Sequence, residues 1–236
     1  MILILAGVSI PRPWRSLIFI ILASLWAGIS RVNWFPVPAM IAISIYILET
    51  PLNDKGWKYW LTPFIWGISG IFSAFVAQFI YIQLSGNPDV SAFGSSFTSD
   101  LIWSRLLPNE TYPMGILPGI TFVSLPLWLG LYQMIKGNLN QLHLLRFLAL
   151  LGMLLVLFIG GAVVSTKIGG GGDLHNMDAY LVLLSILTMS FVAKQVSPEN
   201  EAKPVWGNIS WGVAFISLLI PIWFALSKGR LFSSLR

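Results

Sequence analysis

Seven apolar runs, at positions 16–30, 35–48, 62–84, 115–135, 144–164, 179–192 and 209–226, leave this chain few structures to choose from. In a hydrocarbon environment no water is present to pair the backbone. Every N–H and C=O of such a run must then be paired within it, as an α-helix does. Only 10% of the 236 residues are charged and 56% are hydrophobic, whereas soluble domains carry about 25% charge. The expectation is an all-α, polytopic transmembrane helical bundle with about seven membrane segments, two of them short, plus an interfacial amphipathic helix. It forms a single integral membrane domain over residues 1–236 whose first partner is the lipid bilayer. Cysteine is absent, which removes disulfides and thiolate metal sites. The net charge is +5, but the basic residues stand singly at the ends of apolar runs. That is a topology signal rather than a nucleic-acid footprint.

The first ten residues are apolar but too short to span, with no basic region ahead of them and no small-residue cleavage site. Two readings stand. The stub is the end of a helix that began upstream, making the chain the C-terminal half of a larger protein, or it is a short interfacial anchor. The next two runs are also short: fifteen residues cover about 22 Å of a hydrocarbon core about 30 Å thick. They meet at Arg31-Val32-Asn33-Trp34, and Pro36 and Pro38 argue against one continuous helix. Short helices meeting at a polar turn suggest a turn recessed below the membrane surface, lining a cavity or covered by protein. Pro63 suits the first turn of the 62–84 helix, Gly67 and Gly70 permit close helix contact, and Gln78 is expected to bond a neighbouring helix. Residues 99–107, with Ser99 as N-cap and Asp100 and Ser104 opposite Ile102, Trp103, Leu106 and Leu107, read as the amphipathic helix lying in the interface.

Loop charge sets an orientation. One side holds Arg12, Arg15, Lys55, Lys58, Lys136, Arg146, Lys194 and Lys203, Arg146 being assigned to the basic link 136–146. The other holds Arg31, Arg105 and Lys167, plus a tail with Lys228, Arg230 and Arg236 that runs against the rule. The positive-inside rule makes the first side cytoplasmic. The turn at Arg31, the link 85–114 and the link after Lys167 then share the outer face, and no charge lies within a span outside that turn.

The link Lys167-Ile168-Gly169-Gly170-Gly171-Gly172-Asp173-Leu174-His175-Asn176-Met177-Asp178 crowds together more ionisable and backbone-permissive residues than any other part of the chain. It is no Walker motif, since its lysine precedes the glycines. Free backbone N–H groups, a lysine and a helix N-terminus still suit a phosphate, with Arg31 and Arg105 adding positive charge. An ordinary hydrated hairpin with snorkelling cations accounts for the same residues. Asp173, His175 and Asp178 are oxygen and imidazole groups that suit a divalent cation such as Mn²⁺, Mg²⁺ or Zn²⁺, Asp100 being one source of a further ligand. The competing local account is that Asp178 caps the helix that follows while Asp173 and His175 sit in water.

Lys167, the glycine run, Asn176 and Asp178 resemble a late loop of bacterial membrane proteins of the glycosyltransferase C superfamily, relatives of protein O-mannosyltransferases and lipid A aminoarabinose transferases. Residues 30–38, with their short flanking helices, are similar to the late membrane region of such proteins. The resemblance implies a multi-pass protein of the bacterial inner membrane. The implied activity is transfer of a hexosyl or pentosyl group from a polyprenyl-phosphate-linked sugar on the outer face. It implies substrate and phosphate contacts at Arg31, Asn33, Arg105, Lys167, Gly170, Gly171, His175 and Asn176. The catalytic carboxylate of that family lies in a first external loop, and no acidic residue precedes Glu49 here. The chain then reads as a module that needs an N-terminal half or partner membrane subunit. A non-catalytic scaffold subunit or a component of a small-solute transporter are the alternatives.

Overall fold

The computed structural model describes residues 1–52, 56–86, 106–110, 113–136, 141–167, 174–199 and 207–233. Among them are eight α-helices: α1 (Ile2–Gly7), α2 (Pro13–Ser30), α3 (Val37–Glu49), α4 (Trp57–Ser85), α5 (Ile116–Ile135), α6 (Leu144–Lys167), α7 (Asp178–Val192) and α8 (Trp211–Ser233). Two single 3₁₀ turns, Val32–Trp34 and His175–Met177, precede α3 and α7. Six helical segments are long and apolar enough to cross a membrane: Pro13–Ser30, Val32–Glu49, Trp57–Ser85, Ile116–Ile135, Leu144–Ser165 and His175–Val192. The chain is an integral membrane protein, all-helical among the described residues. The seventh apolar run falls in α8, where the apolar stretch Trp211–Ile220 is shorter. Of the amphipathic helix at 99–107 only Leu106 and Leu107 lie within the described residues.

The centre of the bundle is α3, which touches α1, α2, α4, α6 and α7 and buries Val37, Ile41, Ala42, Ile47 and Leu48. Around it α2 and α4 cross at small residues, as membrane helices do when lipid gives no hydrophobic drive to associate. A Cβ on Gly28 would collide with the Ala74 carbonyl, and one on Gly70 would lie 3.2 Å from Ser24 Oγ of α2 and 2.7 Å from the Ala39 Cβ of α3. Gly67 is not part of this contact, its nearest neighbour being Ile43 Cδ1 at 3.7 Å. Outward faces carry Trp26, Phe64, Phe72, Phe79, Leu155 and Ile159, all exposed. Water would penalise such a surface, and lipid tails suit it. The N-terminal stub forms α1, too short to cross at about 9 Å. It packs onto the bundle through buried Ile4 and through Gly7 pressed on the Phe19 ring.

Several expectations need correction. Starting at Pro13, which fits the first turn of a helix, α2 has eighteen residues and a length of about 27 Å. Pro63 lies inside α4 instead of opening it. A proline has no N–H to give the carbonyl four residues back, and the Tyr46 hydroxyl donates to that carbonyl, Tyr59 O, at 3.4 Å. Gln78 stands half-buried on α4 and makes no hydrogen bond among the described residues.

The largest correction concerns Arg146. It lies inside α6, fully buried, and a charge therefore does lie within a span. Its guanidinium meets the C-terminus of α3, where four carbonyls have no intrahelical partner. Tyr46 O takes the Thr50 N–H at 2.9 Å, and Arg146 Nε donates to Ile47 O at 2.8 Å. Leu48 O accepts from Arg146 Nη2 at 3.0 Å and from Ser197 N at 2.8 Å, while Glu49 O accepts from the Ser197 hydroxyl at 2.6 Å. Arg146 Nη1 also donates to Ser197 O at 3.0 Å and to Glu199 Oε1 at 2.7 Å. The same Glu199 oxygen takes the Leu52 N–H at 3.0 Å. All four terminal carbonyls of a short helix are thus satisfied without water, and the positive charge faces the negative end of the helix dipole. This closes one end of the bundle.

Candidate functional site

The opposite end is built from the two 3₁₀ turns. α2 stops at Ser30, where Arg31 turns extended at φ −152°, and Pro36 and Pro38 have no N–H to offer Val32 O and Trp34 O, so one helical ladder does not run through the turn. The turn closes with Trp34 N–H on Arg31 O at 3.0 Å and Phe35 N–H on Val32 O at 3.2 Å. Phe35 is buried edge-on to Phe75, ring centroids 5.5 Å apart, which fastens the turn to α4. The second turn closes with Met177 N–H on Leu174 O at 2.8 Å and buries Asn176 and Met177 against α6. Gly161 makes that contact close: a Cβ there would lie 2.8 Å from Asn176 O and 2.9 Å from Met177 Sδ.

The turns meet although they are 143 positions apart. Asn33 Nδ2 donates to Asn176 O at 3.2 Å. Trp34 Nε1 sits between the two oxygens of Asp178, 3.3 Å from each. Asp178 opens α7 and its Oδ1 takes the following N–H, that of Ala179, at 2.9 Å. Asp178 therefore does serve the helix start, as the first helical residue rather than the residue before it. Arg31 Nη1 stands 3.6 Å from Asp178 Oδ2, with the two side chains 50% and 36% exposed. That distance is a charge contact without a hydrogen bond. Among the described residues, the guanidinium N–H groups of Arg31 make no hydrogen bond. Two polar atoms at this end are buried and unpartnered: Asn176 Nδ2 and, one helical turn beyond Gly161, Ser165 Oγ. A buried donor left without a partner is costly, so each is a standing place for a polar ligand group or a water.

Of the residues anticipated for substrate, Arg31, Asn33 and Asn176 come together, and His175 stands half-buried in the same turn. Lys167 closes α6, with its side chain outside the described residues, as are Arg105, Gly170 and Gly171 altogether. The metal set is not assembled among the described residues, where no group of three His, Asp or Glu side chains could hold an ion. Asp173 and Asp100 lie outside those residues, and Asp178 is engaged by Trp34 and Arg31. Sequence reasoning missed Trp34 and Ser165. Trp34 had a signal, being an indole donor in a turn already expected to face polar groups, and Ser165 had none.

The arrangement offers a cation whose donors are unused among the described residues, a fixed carboxylate and neutral amide groups at the end of a membrane bundle. It is suited to holding an anionic headgroup. Comparison with protein-family models, with curated proteins and with solved structures gives no match.

Proposed function

We propose that this chain is a glycosyltransferase C-like membrane module whose Arg31–Asp178 cluster receives the phosphate of a polyprenyl-phosphate-linked sugar at the outer membrane boundary. The observation that carries the reading is the half-exposed Arg31 guanidinium, its donors unspent among the described residues, held beside Asn33, Asn176 and Asp178 at the end of the bundle. Guanidinium groups recognise phosphate through paired N–H donors. A polyprenyl tail lies in the bilayer, so its phosphate arrives at the height of the helix ends. On this reading Asp178 orients the site and the catalytic carboxylate comes from a partner or an N-terminal half. The metal ion considered from sequence plays no part in it.

A photoreactive polyprenyl phosphate provides the test. Crosslinks should map to the peptides containing residues 31–34 and 175–178 and should be competed away by unlabelled lipid phosphate but not by the corresponding alcohol. Crosslinks spread evenly over the exposed faces of α2, α4 and α6, or equal competition by the alcohol, would mean that only the tail is recognised.

A further inference from the structure

We propose that Asp178 tunes the charge selectivity of the Arg31 site, offsetting the advantage that the cation alone would give doubly charged lipid phosphomonoesters over singly charged lipid phosphodiesters. This rests on the phosphate-binding reading above and adds a specificity-determining residue to it. The carboxylate is held independently of Arg31: Trp34 Nε1 reaches both its oxygens at 3.3 Å and the Ala179 N–H reaches Oδ1 at 2.9 Å. It is therefore not free to swing aside when an anion arrives. At 3.6 Å it lies close enough to oppose any anion on the guanidinium but too far to consume its hydrogen-bond donors.

The consequence follows from charge. Attraction to the guanidinium and repulsion from the fixed carboxylate both scale with the phosphate's charge, so the carboxylate subtracts most from the more highly charged lipid. A diester carries one negative charge, whereas a monoester loses its second proton at about pH 6 and carries nearly two at pH 8. A sugar linked to a lipid through phosphate is a diester, and the lipid left after sugar transfer is a monoester. Asp178 therefore weakens retention of the spent carrier more than it weakens binding of the donor.

Binding of farnesyl phosphate and of its methyl ester to the full chain in detergent at pH 8 tests this. Asp178→Asn keeps an oxygen for the Trp34 N–H and should raise the monoester's affinity relative to that of the methyl ester by about two- to fivefold over the unmodified protein, the range of a partly exposed charge contact. A variant that shifts both lipids equally or not at all, or that tightens the methyl ester more, would overturn the proposal while leaving the phosphate site standing. Failure of the unmodified protein to bind either lipid, or binding that is unchanged in Arg31→Ala, would overturn both.

Discussion

Arg146 and Arg31 each face a carboxylate, Glu199 at 2.7 Å and Asp178 at 3.6 Å, at opposite ends of one helical bundle. Around Arg146, four hydrogen bonds run from the guanidinium, to Ile47 O, Leu48 O, Ser197 O and Glu199 Oε1, and the side chain is wholly buried. Around Arg31 no such bond forms among the described residues, and half the side chain meets solvent or headgroups. The same residue type is a helix cap in one place and an unspent cation in the other. What separates them is the backbone nearby. The Arg146 guanidinium lies where α3 leaves carbonyls that need donors, whereas Arg31 follows the end of α2 and lies beside a helix start that already has its own acceptor, Asp178. A guanidinium spent on backbone carbonyls marks the structural end, where the Thr50 hydroxyl at α3's terminus is left unpartnered among the described residues. A guanidinium without such bonds among those residues, beside the unpartnered Asn176 Nδ2, marks the candidate site.

The contrast can be broken most forcefully at Arg146. Arg146→Ala should remove about 3–5 kcal/mol of stability, because Glu199 and the α3 carbonyls would remain buried without their donor. Thermal unfolding in detergent, followed by size-exclusion recovery, would show it, and an unchanged melting temperature would deny the cap its role. Glu199→Gln should cost less, about 1–3 kcal/mol, since an oxygen remains for the Leu52 N–H. Gly161→Ala, whose new methyl would press on Asn176 O and Met177 Sδ, should cost about 1–2 kcal/mol. Its more telling effect should be faster hydrogen exchange across residues 175–178, with residues 46–50 unaffected. Arg31→Ala comes last, at under about 1 kcal/mol, as befits an exposed ion pair. A loss comparable to that of Arg146→Ala would erase the distinction between the two ends.

Much of the fold was legible because span length and polarity are set by the bilayer. Six of the seven apolar runs read from sequence coincide with membrane-length helical segments to within a few residues, apart from the early start of α4 at Trp57. The run at 209–226 meets only a shorter apolar stretch. That residues 31–34 and 175–178 share an end follows from counting crossings. That they touch does not, since Asn33–Asn176 and Trp34–Asp178 depend on the packing of α3 against α6 and α7. Arg146 was misplaced for a physical reason. A basic residue at the edge of an apolar run has the same appearance whether it snorkels to water or caps a neighbouring helix, and the deciding partners, Ile47, Leu48 and Glu199, lie about a hundred residues before it or some fifty after. Gln78 shows the converse, since an intramembrane amide was expected to find a partner and finds none among the described residues.

The most direct measurement is a titration of the full chain in lipid nanodiscs with a polyprenyl phosphate, run beside a melting curve on the same samples. The unmodified protein should bind saturably, and Arg31→Ala should weaken binding at least about tenfold, the worth of one lost charge-assisted contact, while melting at the unmodified temperature. Equal affinity in the two proteins, or a weakened affinity that accompanies a collapse of the melting curve, would contradict the account.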